Sequence, residues 1–481
     1  MVDMKKIVGL FVGFFLFSAF AFAIDVNKGE LESAQGDSVQ FENYAGPHAV
    51  IETADAITGI GRALGEEVAR DIENPLSAQP HAKYSLYHVV ASPEENALDA
   101  DILFLNENAG VDHINNLRRI ITGYLMAAYS YSKEDADTLS VFITVYNAVY
   151  RGQLSNFSGK YKSAVLTYLT PEAVGLSTNW EEWAGKTQIV IPLGNLSQGS
   201  ASVETSEISD DKVIEALRSE DDKNVAVREK LSEIKEKEAE NASEKAKTAQ
   251  KEAAQEKKEG KKEQAAQSAK TATEQQKIAD KKTEEVKAER EQIAKDKAEI
   301  KKEEAAKSDE VQNVKYLTSL FVTDEKNKLY SLMTVNPLNG AVVKKSALKQ
   351  IREKTIYPVS EGFIAVCGVN DKHSAVKLCL IDEASLEIKK ESSETLSEGT
   401  SLVLQGDSFY AIISENGKNY LAAFDKNLNL RNKGSVAVNG SSPLNFYSEG
   451  ILVTDEKGRP VLLSLPSLEA VWKNQASVDA K

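Results

Sequence analysis

The sequence has few of the residues that build catalytic or metal sites. Its 481 residues include only two cysteines and five histidines. Cys367 and Cys379 do not form a C-x-x-C pair, and no two histidines have the spacing of a zinc-binding helix. A nucleophile elbow, an H-E-x-x-H motif and an EF-hand loop are also missing. We therefore expect no enzyme activity, no cofactor and no metal, and the sequence supplies no catalytic residues.

Basic residues are also fewer than acidic ones, 58 against 73, which gives a formal net charge of −15. An acidic surface argues against nucleic acid or anionic lipid as the main partner.

Long apolar runs are confined to the N-terminus. Lys5 and Lys6 precede an uncharged apolar segment at 7–20, and the following Ala21-Phe22-Ala23 has the A-x-A form of a cleavage site. The segment is short for a membrane span, which needs about 20 residues. We predict a signal peptide over 1–23, cleaved after Ala23, and an exported protein of the periplasm or cell envelope that is not an integral membrane protein after cleavage. An uncleaved anchor is the alternative. The expected partner is an unknown envelope protein or cell-wall component.

Proline and aromatic residues are absent from residues 224–308, which hold 22 Lys or Arg against 20 Asp or Glu. This composition favours helix and cannot build a globular core. We predict a charged helical, coiled-coil-like rod that holds two folded ends apart as a spacer.

Apolar residues recur every seven positions in the second half of the rod, and a mostly polar column accompanies them. The apolar column is Ala265, Ala272, Ala279, Val286, Ile293 and Ile300; the polar column is Ala269, Gln276, Thr283, Arg290 and Lys297. The heptad phase breaks at Gly260, which fits a stutter in a long coiled coil or the turn of a helical hairpin. Because the seam is rich in alanine, any self-association through the rod should be weak.

The region 24–200 reads as an α+β domain with helices in the majority, followed by a linker with a short helix at 201–223. Apolar periodicity predicts helices and strands. The predicted helices span 50–68, 111–131, 135–150 and 160–169, the predicted strands span 83–91 and 101–106, and residues 180–193 read as a loop that enters a further strand. The glycines of Thr58–Gly65 miss both the dinucleotide and the Walker A spacing, so we attribute them to close helix packing or a helix break.

The region 315–475 contains four hairpin repeats, followed by a tail at 476–481. Each repeat leads to a polar turn, and we place those turns at Leu338, Leu386, Leu428 and Leu468. Strand repeats of this length predict an all-β, propeller-like domain, with an incomplete propeller or a stack of sheets as alternatives. Cys367 and Cys379 read as buried apolar residues that are not directly opposite each other, although an exported protein could pair them. Aspartates recur near these turns, where they need no Ca²⁺: Asp324, Asp371, Asp382, Asp425 and Asp455.

Five residues of the N-terminal domain are candidates for binding or packing. Arg118 and Arg119 on a helix could bind an anion, but salt bridges are the commoner outcome. Trp180 and Trp183 could form a ligand platform or anchor a loop to the core. Lys186 follows them in the same loop.

Several motifs of the first 200 residues together resemble the 83/100 kDa antigen family of spirochaetes. These are FENYAGP at 41–47, NLRRIITGYL at 116–125, YNAVYRG at 146–152, WAGKTQI at 183–189 and IPL at 191–193. The order of signal peptide, N-terminal domain, charged helical middle and β-rich C-terminal domain matches as well, although the middle is shorter than in the larger members. The resemblance implies an exported envelope protein known as an immunogen, with no established enzyme activity.

Three functions fit these observations. The first is a scaffold whose β-repeat domain binds a partner. The second is an enzyme with a site near Trp183 to Lys186, which would need a concave pocket with convergent titratable groups. The third is a carbohydrate- or peptide-binding module on the C-terminal domain, which would need an aromatic or charged patch there.

Overall fold

The computed structural model describes residues 39–91, 97–194, 202–217, 222–310 and 316–473. The predicted signal peptide, its cleavage site at Ala23 and the tail at 476–481 lie outside the described residues. Within them the chain forms an N-terminal α+β region, two long helices and a series of antiparallel sheets. No helix in this described part is long and apolar enough to cross a membrane.

The N-terminal region packs helices against a four-stranded antiparallel sheet of order β1-β2-β3-β4. Its helices are α1 (Ala54–Ala69), α2 (Ile114–Tyr129), α3 (Lys133–Val149), α4 (Leu154–Ser158), α5 (Ser163–Leu166) and α6 (Asp211–Leu217). Its strands are β1 (Leu76–His81), β2 (Tyr84–Val89), β3 (Asp99–Leu105) and β4 (Thr187–Leu193).

Two predictions for this region were wrong in detail. The helix predicted over 160–169 is only the short α5. Strand β1 was missed because it contains Pro80, and proline is rare in strands. Since β1 is at the edge of the sheet, the missing N–H of Pro80 breaks no central ladder.

The glycine cluster lets α1 and α2 cross with their backbones in contact. A Cβ atom on Gly61 would lie 1.8 Å from the Ile120 carbonyl oxygen, and one on Gly123 would lie 2.0 Å from the Thr58 carbonyl oxygen. Gly59 has open space at its Cβ position. The cluster therefore serves close helix packing, as predicted.

We expect Gly61→Ala to destabilise the protein by about 1–3 kcal/mol, since the new methyl group forces the two backbones apart. Gly59→Ala is the matched control in the same helix and should stabilise it by about 0.5–1 kcal/mol. Urea unfolding followed by circular dichroism measures both. Equal effects of the two substitutions would contradict the close crossing.

The two long helices, α7 (Asp222–Lys258) and α8 (Lys262–Glu310), form an antiparallel hairpin. The chain reverses at Gly260, whose φ of +79° is unfavourable for residues with a side chain. The phase break at Gly260 is therefore the turn of a helical hairpin and not a stutter in one long coiled coil. The seam assigned to weak self-association is thus buried within one chain.

The predicted apolar column of α8 faces α7, and Ala272, Ala279 and Val286 are buried there. The polar column that accompanies it lies one residue closer to the N-terminus than predicted. The residues that share the seam are Gln275, Lys282, Glu289 and Asp296, which are buried or half-buried.

Charged groups fix the register of this seam. The Arg228 side chain is 1% exposed; its Nε lies 2.5 Å from Glu289 Oε1 and its Nη1 lies 2.5 Å from Asp296 Oδ2. A buried cation between two carboxylates of the facing helix disfavours any other alignment, because sliding would leave charges unpaired.

The hairpin is bound to the N-terminal region by a second polar cluster. Lys282 Nζ lies 2.7 Å from Glu238 Oε2 and donates to Thr205 Oγ1 at 2.8 Å. Burial alone would lower the pKa of Lys282, but the carboxylates of Glu238 and Glu204 outweigh burial and raise it. This cluster holds α7 and α8 to the segment that follows β4.

The C-terminal region consists of four β units. Unit 1 is β5 (Leu317–Asp324), β6 (Leu329–Val335) and β7 (Val342–Lys345); unit 2 is β8 (Ile351–Val359), β9 (Gly362–Cys367), β10 (Lys377–Ile381) and β11 (Ile388–Glu391). Unit 3 is β12 (Val403–Gln405), β13 (Ser408–Glu415), β14 (Lys418–Phe424) and β15 (Leu430–Ala437); unit 4 is β16 (Asn445–Tyr447), β17 (Gly450–Thr454), β18 (Pro460–Leu463) and β19 (Ala470–Lys473). A short pairing of β6 with β8 joins units 1 and 2 into one sheet of seven strands.

Consecutive units stack through separate apolar cores. One core lies between units 1 and 2, a second between units 2 and 3, and a third between units 3 and 4. The described residues form no closed propeller; of the interpretations left open by the repeat, they support a stack of antiparallel sheets.

Cys367 and Cys379 are buried in the first of these cores as free thiols. Cys367 pairs with Lys377 across the strands and Cys379 pairs with Ala365. The two cysteines are therefore diagonal neighbours, which confirms that they are not directly opposite each other.

The repeat is marked by a buried leucine with a left-handed backbone. Leu386, Leu428 and Leu468 have φ values of 58°, 61° and 61° and are at most 2% exposed. In unit 1 the equivalent turn position is Gly340, with φ of 71°, whereas Leu338 is 80% exposed. Our placement of the first repeat at Leu338 was therefore wrong by two residues.

Candidate functional site

The two terminal regions contact each other, which overturns the prediction that a rod holds them apart. The N–H of Ala49 donates to the His373 carbonyl at 2.9 Å, and the Tyr44 hydroxyl donates to Gln350 Oε1 at 3.3 Å. Because the helical hairpin reverses the chain, the units that follow it return to the N-terminal region.

A cleft of about 580 Å³ lies at this contact. The N-terminal region contributes the loop at 41–48, with His113 and the turn at 179–181, while units 1 and 2 contribute residues at 347–349 and 387–391. The cleft is therefore a site that only the assembled chain has.

Aromatic rings line one wall of the cleft. The Trp180 ring lies 5.6 Å from the Tyr44 ring and 5.6 Å from the His373 ring, each in an edge-to-face arrangement. The backbone at Trp180 is held in place because its main-chain N–H donates to the Glu42 carbonyl at 3.1 Å, and Asn179 Oδ1 accepts from the Glu181 N–H in the following turn. Burial raises the pKa of Tyr44 above its usual range, so its hydroxyl stays protonated.

Charged groups cross the contact beneath the aromatic wall. His48 Nε2 lies 3.5 Å from Asp112 Oδ2, and His48 Nδ1 lies 4.0 Å from Glu391 Oε1 in unit 2. Glu391 Oε2 in turn lies 3.1 Å from Lys377 Nζ. His48 lies between the carboxylates of Asp112 and Glu391, and the ion pair of Glu391 with Lys377 continues this series, which ties the N-terminal region to unit 2.

Carboxylates outnumber basic side chains around the cleft. Glu42, Glu181, Glu387 and Glu391 line it, against Lys349 as the basic residue with a fixed charge. Aromatic faces together with excess negative charge favour a ligand that carries a cation, since a cation gains from both the carboxylates and the ring faces.

The structure places the five candidate residues in different surroundings. Trp180 lines the cleft, whereas Trp183 is buried in the core and donates from Nε1 to the Ser177 carbonyl at 2.7 Å. Lys186 is exposed. Arg118 is buried and donates from Nε to Thr144 Oγ1 at 3.0 Å, and burial lowers its pKa to about 9. Arg119 donates to Asn116 Oδ1 at 3.0 Å.

Sequence reasoning missed most of the cleft. His48, Gln350 and Glu391 were not among the candidate residues. The residues that meet here are some 300 positions apart, as Tyr44 and Gln350 are. The aromatic and acidic character of FENYAGP, which includes Glu42 and Tyr44, was the available signal.

A buried histidine–carboxylate pair occurs in the N-terminal region but outside the cleft. His88 Nδ1 lies 2.5 Å from Asp101 Oδ1, and His88 Nε2 lies 2.9 Å from the Ile72 carbonyl oxygen. The hydroxyls of Tyr124 and Tyr129 donate to Asp101 Oδ2. Both side chains of the pair are 0% exposed, so no substrate reaches them in this conformation.

Both nitrogens of His88 face acceptors, a carboxylate and a carbonyl, so the ring is best satisfied as an imidazolium that donates twice. Burial alone would lower the pKa of His88, but the hydrogen bond and charge of Asp101 and the Ile72 carbonyl outweigh burial and raise it. The cluster is an internal charge pair that joins the sheet to α2.

The aspartates of the β turns bind backbone N–H groups. Asp382 Oδ1 accepts from Ala384 and Ser385, and Asp425 Oδ1 accepts from Asn427 and Asn429. Over the described ranges, no group of three His, Cys, Asp or Glu side chains is placed to hold a metal ion.

The fold and the cleft define a multidomain α+β protein in which a helical hairpin connects an N-terminal region to stacked antiparallel sheets. The model of the Borrelia P83/100 protein family matches residues 28–277 and 247–442. The chain belongs to this family, which confirms the resemblance predicted from its motifs. Membership indicates a spirochaetal antigen of the cell envelope or surface. A comparison with curated proteins found no match.

Proposed function

We propose that this protein is a non-catalytic scaffold of the envelope that binds a basic segment of a partner protein in the cleft. The single observation that carries the proposal is the aromatic, carboxylate-rich cleft between the N-terminal region and units 1 and 2. Export to the periplasmic side of the envelope belongs to the same proposal and is supported by the signal peptide predicted over residues 1–23.

The absence of catalysis is also part of the proposal. The enzyme hypothesis needs titratable groups that converge near Trp183 to Lys186, but Trp183 is buried and Lys186 is exposed on a turn. The best histidine–carboxylate pair, His88 with Asp101, is enclosed by protein. These placements favour binding over chemistry.

A peptide of the cationic class is the preferred ligand among those considered. A lysine or arginine side chain pairs with Glu181 or Glu387 and packs on the Trp180 ring. A neutral sugar would use the ring but gain little from the negative charge of the carboxylates, so carbohydrate binding is the second candidate.

We expect Trp180→Ala to weaken binding of an arginine-containing peptide by about tenfold, since a cation–aromatic contact in a partly desolvated site contributes about 0.5–2 kcal/mol. Isothermal titration calorimetry with the purified protein measures this. Tyr168→Ala, at a partly exposed aromatic residue outside the cleft lining, is the matched control and should change nothing.

Equal binding of acidic and basic peptides, or equal losses from the two substitutions, would refute the proposed cleft specificity. Preferential binding of a neutral oligosaccharide would favour the carbohydrate alternative. Crosslinking with mass spectrometry on intact cells, using a photoreactive side chain at Trp180, then identifies the partner in the envelope.

A further inference from the structure

We propose that two copies of this chain associate through the outer face of unit 4. This face, the end face, consists of Tyr447, Leu452, Leu462 and Trp472. It is the side of the sheet turned away from unit 3.

The strand register puts these four side chains on one side of the sheet. Leu452 pairs with Leu462, and Leu462 pairs with Trp472, so the three form a row across β17, β18 and β19. Tyr447 lies two residues after Asn445, the partner of Leu452, and so shares this side. The alternate residues, such as Ile451 and Val461, point into the core with unit 3.

The equivalent rows of units 2 and 3 are buried at interfaces within the stack. In unit 3 the pair Ile412 and Leu421 occupies this position and is buried under unit 4. In unit 2 the pair Ile364 and Leu380 is buried under unit 3. The end face therefore continues an interface that the chain already uses between its own units.

In unit 4 this row is partly open. Trp472 is 46% exposed and Tyr447 is 56% exposed, while Leu462 is 8% exposed between Leu452 and Trp472. Aromatic side chains of this kind are enriched where protein surfaces meet.

The opposite end of the stack is built differently. Its turn carries Gly340 where the other units carry a buried leucine that packs on the preceding unit. By register, Ser319, Phe321, Ser331 and Met333 occupy the outer positions of β5 and β6, and Lys345 Nζ lies 5.8 Å from the Phe321 ring. The outer side of unit 1 is thus mixed, with serines and a lysine beside its two apolar side chains, and it has no continuous apolar row like that of the end face.

This difference between the two ends of the stack indicates which surface covers the end face. A head-to-tail ring would need the outer side of unit 1 to accept the end face, and unit 1 lacks the leucine for that contact. A second end face has the matching apolar row, so the association is isologous and closes at two copies. Four side chains bury less than the roughly 800 Å² per partner of a standard interface, so we expect a dissociation constant in the micromolar range.

Sedimentation velocity of the full chain without residues 1–23, over a concentration series, tests the proposal. We expect a reversible monomer–dimer equilibrium and at least a tenfold rise in its dissociation constant for Trp472→Glu and for Tyr447→Glu. Leu338→Glu, at an 80% exposed leucine of unit 1, is the matched control and should leave the equilibrium unchanged.

A protein that stays monomeric across the series overturns the proposal, and so does an equal effect of Leu338→Glu. Deleting residues 474–481 should not change the equilibrium. If the deletion alone makes the protein dimerise, the end face is covered by its own chain, and the proposal is wrong. Circular dichroism of each variant establishes that a loss of dimer is not a loss of fold.

Discussion

Replacing Arg228 with alanine should lower the free energy of unfolding by about 3–5 kcal/mol. The substitution leaves the carboxylates of Glu289 and Asp296 next to each other in the seam between α7 and α8 without the cation that both now contact. Urea unfolding followed by far-ultraviolet circular dichroism measures the loss, since the hairpin contributes much of the helical signal.

Arg290 supplies the matched control. It pairs with Glu236 across the same two helices at 2.6 Å, but both side chains are about half exposed. Because solvent screens exposed pairs, Arg290→Ala should cost only about 0–1 kcal/mol. Equal losses at Arg228 and Arg290 would mean that burial does not set the register of the hairpin.

Asp101→Ala should cost a similar amount, about 3–5 kcal/mol, because it leaves the enclosed His88 cation unpaired. It also removes the acceptor of the Tyr124 and Tyr129 hydroxyls. Thermal and urea unfolding near pH 6 measure the effect. An unchanged stability would show that the cluster is not a charge pair.

The pH dependence of the stability tests the same pair, because the native protein and an Asp101 variant should respond to pH in opposite directions. In the native protein the pKa of His88 is raised, so its contribution is fully present below the unfolded value of about 6.5 and is lost as pH rises through the folded-state pKa. In Asp101→Asn, the charge of Asp101 is gone and only the Ile72 carbonyl and Asp99 still oppose burial, so we expect burial to dominate and to lower the pKa of His88. That variant should lose stability as pH falls below about 6.5. Parallel stability profiles of the native protein and Asp101→Asn between about pH 5.5 and 8.5 would contradict the assignment.

The sequence located many local features well. The seven-residue column from Ala272 to Ile300 is buried, as its spacing predicted. Such a feature depends on residues a few positions apart, where helical periodicity acts. The phase break at Gly260 was found for the same reason.

Other features depended on partners far away in the chain. The polar half of the hairpin seam was misplaced by one position, because which polar residues of α8 are buried depends on ion pairs with the facing helix, such as those of Arg228 and Glu238. The cleft was missed because Trp180, His48 and Glu391 come from three separate regions.

The sequence by itself therefore determined the family, the charged helices with their phase break at Gly260, and the four-fold strand repeat. These features can be recognised from periodicity, composition and motifs, since each of those is a property of neighbouring residues. Only the tertiary structure decided that the hairpin brings the two ends together, that the repeats stack openly, and that a cleft lies between them. Those outcomes depend on which distant surfaces bury one another, and a buried contact has no fixed spacing in the chain.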